Sequence, residues 1–261
     1  RQLNVQVDSP TKRESPPEEK TIENPFYLGT HEVTVAQFRE FVTTTGYTTK
    51  VEQDRESAAA TKPCIGLGRV DEEWVLGSDF DWQNLGEVEL NDGMPVMNVS
   101  HQDATAYVQW LSRNDELHNY RLPFQSEWEF AARAGTETMW YYGSSDEQKS
   151  QHAWHRHNSQ SKPHPVGSKL PNPFGLFDMY GNVEEWCEDR IIKIDNRIEY
   201  WHNREQSAPS YYNIVVARGG HFRQLFELRS ASRNFTSRST TSLRGFRVLR
   251  EITPDEQNGK N

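Results

Sequence analysis

Helical periodicity of the apolar residues is confined to three short segments of this chain. The first segment, VAQFREFV, begins after a capping box formed by Thr34 and Gln37, and the second, ATAYVQWLSRN, begins after a similar box at Ser100 and Asp103. The third, SEWEFAARAG, is expected to end at Gly135, because glycine readily takes the left-handed conformation that closes a helix. We expect these short helices to pack through their apolar faces.

Strands are predicted before the first two helices, at FYLGTHEVT and PVMNVS, because both segments are rich in β-branched or aromatic residues. The rest of the chain is rich in Gly, Pro, Asn, Ser and aromatic residues and shows no sustained periodicity. We therefore expect an α+β fold with much irregular backbone.

The composition indicates a polar surface and an aromatic core. Hydrophobic residues make up 34% of the 261 residues, but 8 Trp, 10 Tyr and 12 Phe supply large apolar faces at few positions. A formal net charge of −9 disfavours contact with phosphate backbones, so nucleic acid is not an expected partner. No apolar run approaches the roughly 20 residues that cross a bilayer, so no membrane span is predicted.

A change in composition near Pro25 predicts the domain organisation. Residues 1–24 are expected to form an extended arm, because residues 8–24 are rich in charged side chains, contain three prolines and have almost no large apolar group. Residues 25–250 are expected to form the folded domain, and residues 251–261 a C-terminal tail. The chain begins with arginine instead of methionine, as a processed precursor or an excised segment would. We expect an exported or periplasmic bacterial protein.

Five segments between about Pro25 and Arg250 form an ordered set: FYLGTHEVTVAQFREFV, PVMNVSHQDATAYVQWL, RLPFQSEWEFAARAGTET, PVGSKLPNPFGLFDMYGNVEEWCED and ARGGHF…LRSASRNF…LRGFRV. This set resembles the signature blocks of the formylglycine-generating enzyme, or sulfatase-modifying factor, family. Five blocks in the same order are a stronger signal than any single motif. The resemblance implies a single compact domain with C-type-lectin-like architecture, low regular secondary structure and one or two structural calcium ions.

The block GLFDMYGNVEEW is a candidate calcium site. Asp178 and Glu185 bracket a Gly181-Asn182 turn, so the segment offers carboxylate and carbonyl oxygens, which calcium prefers. The residues alone are also compatible with two acids that solvate a tight turn. The resemblance implies a calcium ion held by the side chains of Asp178 and Glu185 and by the carbonyls of Gly181 and Val183. The family's second calcium site is expected to be missing, because the stretch before PVGS has no acidic residue here.

The chain departs from the family where the oxidation chemistry is expected. Members that oxidise a substrate cysteine hold copper with two cysteines shortly after an RGGS motif, and thiolates suit that metal. Here His221 stands where the family has serine, Gln224 falls at or near the first cysteine position, and the segment is too short for the second. Leu243 and Arg244 stand where an asparagine precedes the family's final GFR. We therefore expect neither copper nor conversion of cysteine to formylglycine.

Two smaller departures change the local chemistry. Phe124 stands where the family has a capping threonine, which removes a hydrogen bond worth about 1 kcal/mol unless Ser126 or water replaces it. Glu184 replaces a tryptophan beside the expected calcium turn. We expect this carboxylate to be either an additional calcium ligand or exposed.

Histidine and cysteine residues are the remaining candidates for metal chemistry. His152, His155 and His157 lie close together in HAWHRH, and imidazole binds iron, zinc or copper. A solvated polar loop is the favoured interpretation, because spacing alone fixes no geometry. Cys64 and Cys187 are too few for a thiolate zinc site. Two separate buried thiols are the favoured interpretation of these cysteines, and one bridge between them remains open.

Two functions from different classes follow from these residues. The favoured hypothesis is a ligand- or protein-recognition or accessory module, with an unknown protein or small molecule as partner. The alternative is a divergent metal-dependent oxidoreductase or maturation factor that uses histidine ligands. The domain is also a candidate module of a larger protein or complex. The expected ligand-binding residues mix aromatic and polar groups as binding surfaces do: His221, Arg223, Gln224, Phe226, Asn234 and Phe235.

Overall fold

A computed structural model describes most of the expected domain. Within it, no helix is both long enough and apolar enough to cross a membrane. Most of the predicted N-terminal arm and the candidate ligand residue Phe226 lie outside the described part of the chain. The described residues are 21–22, 24–57, 63–194, 197–201, 214–225, 228–237 and 241–257.

The helices are short, and the three predicted from the sequence begin near their predicted positions, whereas three others were not predicted. Both capping boxes are confirmed: Thr34 and Gln37 cap the first helix, and Ser100 and Asp103 cap the third. The described helices are α1 (Val35–Thr45), α2 (Lys50–Glu56), α3 (His101–Asn114), α4 (Gln125–Arg133), α5 (Lys149–His152) and α6 (Pro254–Gln257).

The strands form three small sheets. Their order is β1-β10-β4 in the first, β2-β3 in the second and β6-β5-β7-β8 in the third, where β9 also pairs with β5 in parallel. The described strands are β1 (Phe26–Leu28), β2 (Gly66–Val70), β3 (Glu73–Gly77), β4 (Tyr120–Arg121), β5 (Glu184–Ile194), β6 (Arg197–Trp201), β7 (Ile214–Arg218), β8 (Asn234–Ser237), β9 (Arg244–Gly245) and β10 (Leu249–Glu251).

The α+β prediction is confirmed, and so is the expectation of much irregular backbone. Residues 78–100 and 153–183 contain turns and isolated bridges in place of helices or strands. The predicted strand at PVMNVS is wrong, because only Pro95 makes a bridge, to Thr34. Asn98 has a φ of 60°, a left-handed conformation that asparagine tolerates, and its buried side chain bonds the backbone of Leu67.

The start and the end of α4 differ from expectation. The missing cap at Phe124 is replaced by Asp189, whose Oδ2 accepts a hydrogen bond from the backbone N–H of Gln125 at 2.5 Å. The group that replaces the cap is therefore Asp189 of β5, 64 residues further along the chain, instead of the nearby Ser126. The helix ends at Arg133, and Ala134, with a φ of 47°, takes the left-handed position before Gly135.

Aromatic side chains fill the main core and connect α1 and α3 to the large sheet. Phe38 stacks on Tyr107 of α3 at 6.0 Å and meets Phe246 edge-on at 6.3 Å. Trp186 of β5 belongs to the same buried cluster, so β5 is anchored in the core from its start. The candidate site residues lie at that anchored end of the sheet.

Candidate functional site

The predicted calcium ligands lie in a fully buried turn at the start of β5. The Oδ2 atom of Asp178 accepts a hydrogen bond from the backbone N–H of Gly167 at 2.7 Å, while its Oδ1 is buried and has no described partner. Gly181 has a φ of 84°, and a side chain there would approach the carbonyl oxygen of Trp154 to 2.0 Å. The turn therefore requires glycine at this position.

Glu185 is paired inside the protein. Its Oε2 accepts hydrogen bonds from Trp128 Nε1 and from Arg247 Nε, each at 2.6 Å, and its Oε1 accepts one from Arg247 Nη2 at 2.6 Å. Arg247 also donates to the carbonyl oxygens of Gly29 and Phe177, both at 3.0 Å. This two-pronged ion pair has no exposed surface on either side chain.

Glu32 is a third buried carboxylate in this region, and no sequence motif singles it out. Neither of its oxygens has a hydrogen-bond partner among the described residues. Burial raises the pKa of Glu32 well above its usual range, and the charges of Asp178 and Glu185 raise it further, against the opposing effect of Arg247. One guanidinium therefore faces three carboxylates.

The predicted calcium ligands fit an ion only in part. The unpartnered Oδ1 of Asp178 and the two oxygens of Glu32 are suitable donors, whereas Glu185 already accepts from the positively charged Arg247. Within the described ranges, no three His, Cys, Asp or Glu side chains are arranged to hold a metal ion. An ion at this turn would need backbone oxygens as well, such as the predicted carbonyls of Gly181 and Val183.

A small open cleft lies where β5 begins, β7 ends and β8 begins. Strand pairing assembles it, because Glu185 pairs with Arg218 across β5 and β7, and Ala217 pairs with Asn234 across β7 and β8. The lining residues are polar or small: Glu184, Ala217, Arg218, Gly219, Gly220, Gln224, Ser232, Arg233 and Asn234.

Residues that depart from the family pattern meet at this cleft. Glu184 is only 2% exposed, so the expectation of an exposed charge is wrong. Its carboxylate accepts from Asn234 Nδ2 at 2.9 and 3.1 Å and lies 2.9 Å from Arg244 Nε. Arg244 also lies over the ring of Trp186, at 5.3 Å from its centroid. The parallel pairing of β9 with β5 sets Arg244 directly opposite Glu184.

His221 adjoins the same network. Its backbone N–H donates to Gln224 Oε1 at 3.1 Å, and its Nδ1 accepts from the backbone N–H of Arg223 at 3.2 Å. Burial lowers the pKa of His221 to about 4, where Glu184 opposes the effect and the cations Arg244 and Arg223 reinforce it. The ring is therefore neutral at pH 7 and accepts a hydrogen bond at Nδ1.

The structure separates the predicted ligand residues into three groups. Gln224 and Asn234 line the cleft, and His221 and Arg223 lie beside it. Phe235 packs against the second core cluster, which contains Trp128. Sequence reasoning missed Arg218 and Arg233, although the density of arginine after residue 214 is a signal that could have found them.

The histidine and cysteine candidates do not converge on one point. Cys64 and Cys187 are both buried and form no disulfide, so the bridge left open by the sequence is absent. His152 stacks on Tyr142, with ring centroids 4.7 Å apart. His155 and His157 stay close, with ring centroids 6.0 Å apart, but within the described residues the three histidines form no group that could hold a metal ion.

Comparisons with known proteins agree with this architecture. The model of the sulfatase-modifying factor enzyme 1-like domain matches residues 3–252. The chain is 34% identical to the formylglycine-generating enzyme of Mycobacterium tuberculosis over 195 residues. This matched segment covers 62% of this chain and 62% of that protein. The chain thus spans less than two thirds of that relative.

Two further similarities concern context and fold. The chain is 28% identical over 246 residues to the serine/threonine-protein kinase pkn1 of Chlamydia pneumoniae, covering 92% of this chain but only 35% of the kinase. The structure of PvdO from Pseudomonas aeruginosa superposes with a TM-score of 0.70 at 24% identity, covering 96% of this chain and 90% of that one. The second similarity supports the fold alone.

Proposed function

The chain belongs to the family of sulfatase-modifying factor enzyme 1-like domains, and we propose that within this family it is a ligand- or protein-recognition or accessory module and not a copper oxidase. The observation that carries this proposal is the cleft. Gln224, which falls at or near the first copper cysteine, lines it, and an amide is a poor substitute for a thiolate at copper. Partial similarity to a much longer kinase supports a role as one unit of a larger assembly.

Two residues that depart from the family pattern interact with each other, and this also supports recognition. Glu184 and Arg244 form an ion pair in the wall of the cleft, and Asn234 extends the network. Such a connected polar wall beside small residues is typical of a binding site that fixes the orientation of a ligand. A neutral His221 adds an acceptor beside the cleft, and none of the described carboxylates bonds its ring as the partner of a general base would.

A displayed library of random short peptides tests the proposal. We expect the purified protein to enrich peptides whose affinity falls at least tenfold in Asn234→Leu, because this variant removes a hydrogen-bonding group from the cleft. The matched control is Asn114→Leu at the exposed end of α3. Copper-dependent conversion of a thiol peptide into an aldehyde, or enrichment that ignores Asn234→Leu, would contradict the proposal.

We also propose that the buried turn holds a structural calcium ion. Asp178 and Glu32 would supply carboxylate oxygens, and the carbonyls of Gly181 and Val183 would add backbone oxygens. The unpartnered oxygens of the two carboxylates support this arrangement. The ion would offset the negative charge that Arg247 leaves unbalanced, and its role would be stability and not reaction chemistry.

Thermal unfolding with calcium or with a chelator tests the ion at pH 8. At about 100-fold its Kd, calcium should stabilise the protein by about 2.7 kcal/mol, which is several degrees in Tm, and Glu32→Gln should lose most of that gain. The exposed Glu89→Gln is the control.

The pH dependence distinguishes a bound ion from a bound proton. Without an ion, the raised pKa of Glu32 means that the native state keeps a proton which the unfolded state releases above about pH 4.5. Stability then falls as the pH rises, and Glu32→Gln removes that loss. If Glu32→Gln stabilises the protein at pH 8 and calcium changes nothing, the proton and not calcium occupies the site.

A further inference from the structure

The distribution of charge along the chain is strongly uneven. The whole chain carries a formal net charge of −9, but residues 214–250 contain eight arginines and one acidic residue, Glu227. This segment supplies β7, β8 and β9 and therefore most of the cleft wall. Four of these arginines, Arg218, Arg244, Arg247 and Arg250, pair with carboxylates from elsewhere in the chain, which offset part of this positive charge.

Arg218 lies in the floor of the cleft with its guanidinium held in place. Its side chain has no exposed surface, and its Nη1 donates to the carbonyl oxygens of Ala231 and Ser232 at 2.9 and 2.6 Å. Its Nη2 pairs with Glu129. Its Nε–H, by contrast, has no acceptor within the part of the chain that the structure describes. A buried guanidinium donor without an acceptor is costly, and an anionic oxygen from a ligand would satisfy it.

Further positive charge surrounds this donor. Glu129 also accepts from Arg133, at 2.8 Å, and the charges of Arg218, Arg133 and Arg233 lower the pKa of Glu129 although burial alone would raise it. Arg233 lines the cleft itself. On the opposite wall, Arg244 is balanced by Glu184.

Two glycines form part of the cleft wall. Gly219 and Gly220 have φ values of 88° and 71°, left-handed conformations that favour glycine, and both line the cleft. A Cβ at position 220 would lie 2.4 Å from Gln224 Oε1 and 2.5 Å from Leu228 Cδ2. The wall therefore carries no side chain at these two positions.

We propose that the cleft binds an oxyanion group of its ligand, a carboxylate, sulfate or phosphate, through Arg218 and Arg233. This inference rests on the proposed recognition function and specifies the chemistry of its ligand. The planar guanidinium matches such groups with two parallel hydrogen bonds, which a lysine would not provide. Asn234 and Ser232 offer further polar contacts at the same cleft.

Titration of the wild-type protein with acetate, sulfate or phosphate at constant ionic strength tests the proposal. The readout is the NMR signal of the arginine Nε–H groups. We expect a saturable shift of the Arg218 Nε–H signal with at least one of the three anions, and comparison among them identifies the preferred oxyanion. The wild-type measurement does not depend on whether a variant folds.

A variant pair locates the binding. Arg233→Gln should weaken the binding of the preferred anion at least tenfold, whereas Arg113→Gln, at an exposed position of α3, should leave it unchanged. No saturable shift with any anion, or equal affinity in both variants, overturns the proposal. If the peptide library yields cleft-dependent peptides without acidic groups, the oxyanion inference fails while the recognition function stands. If it yields none, recognition of peptides fails, and the anion titration still decides the oxyanion inference.

Discussion

Replacing Arg247 with methionine is expected to lower the free energy of unfolding by about 3–5 kcal/mol, because it leaves a buried carboxylate without its partner. Arg247 is fully buried and bonds Glu185 through two nitrogens, and the side chains of Glu32 and Asp178 lie near the same guanidinium. Urea denaturation monitored by tryptophan fluorescence measures the change. Since methionine roughly preserves the volume, the loss reports charge and hydrogen bonding more than a cavity.

Arg250→Met is the matched control for this prediction. Arg250 also pairs with a glutamate, Glu256, at 2.9 Å, but both side chains are more than 20% exposed. A pair that water reaches contributes only up to about 1 kcal/mol. If Arg247→Met and Arg250→Met lowered the free energy of unfolding equally, Arg247 would not be stabilising the buried carboxylates.

Breaking the pair of Glu184 and Arg244 is the second change with a large expected effect. Glu184→Met and Arg244→Met should each lower the free energy of unfolding by about 3–5 kcal/mol, because each leaves the remaining charge buried without its partner. The double variant should cost less than the sum of the two, with a coupling energy of about 1–3 kcal/mol. Urea denaturation of the four proteins in this cycle measures the coupling.

The exposed pair of Arg39 and Asp92 provides a control cycle. Its two charged atoms are 2.5 Å apart, yet the side chains are 49% and 69% exposed. Water and salt screen such a pair, so its coupling should stay below about 1 kcal/mol. A Glu184–Arg244 coupling no larger than this would show that the two departures from the family pattern act independently.

Local interactions made the helices predictable. The capping boxes at Thr34 and Ser100 are complete within four residues, so their positions follow from the sequence. The strand predicted at PVMNVS was wrong because Asn98 bonds Leu67, 31 residues away, and holds the backbone out of a sheet. Asp189 caps α4 from another element, which no local pattern reveals.

The candidate site was predictable as a set of residues but not as an arrangement. The sequence marks Glu184, Arg244 and His221 as departures, yet these positions are far apart in the chain. Only the pairing of β9 with β5 places the first two side by side. Glu32 was missed entirely, because it lies in an ordinary strand-like segment and its significance comes from the acids that surround it in space.

Both cysteines of the chain are buried, and burial raises the pKa of Cys64 to about 12 and that of Cys187 well above its usual range. At neutral pH neither buried thiol forms the reactive thiolate, so we expect the native protein not to react with maleimide or iodoacetamide dyes. A cysteine introduced on the exposed surface, for example Gln160→Cys, can then carry a single fluorophore with both original sulfurs left in place.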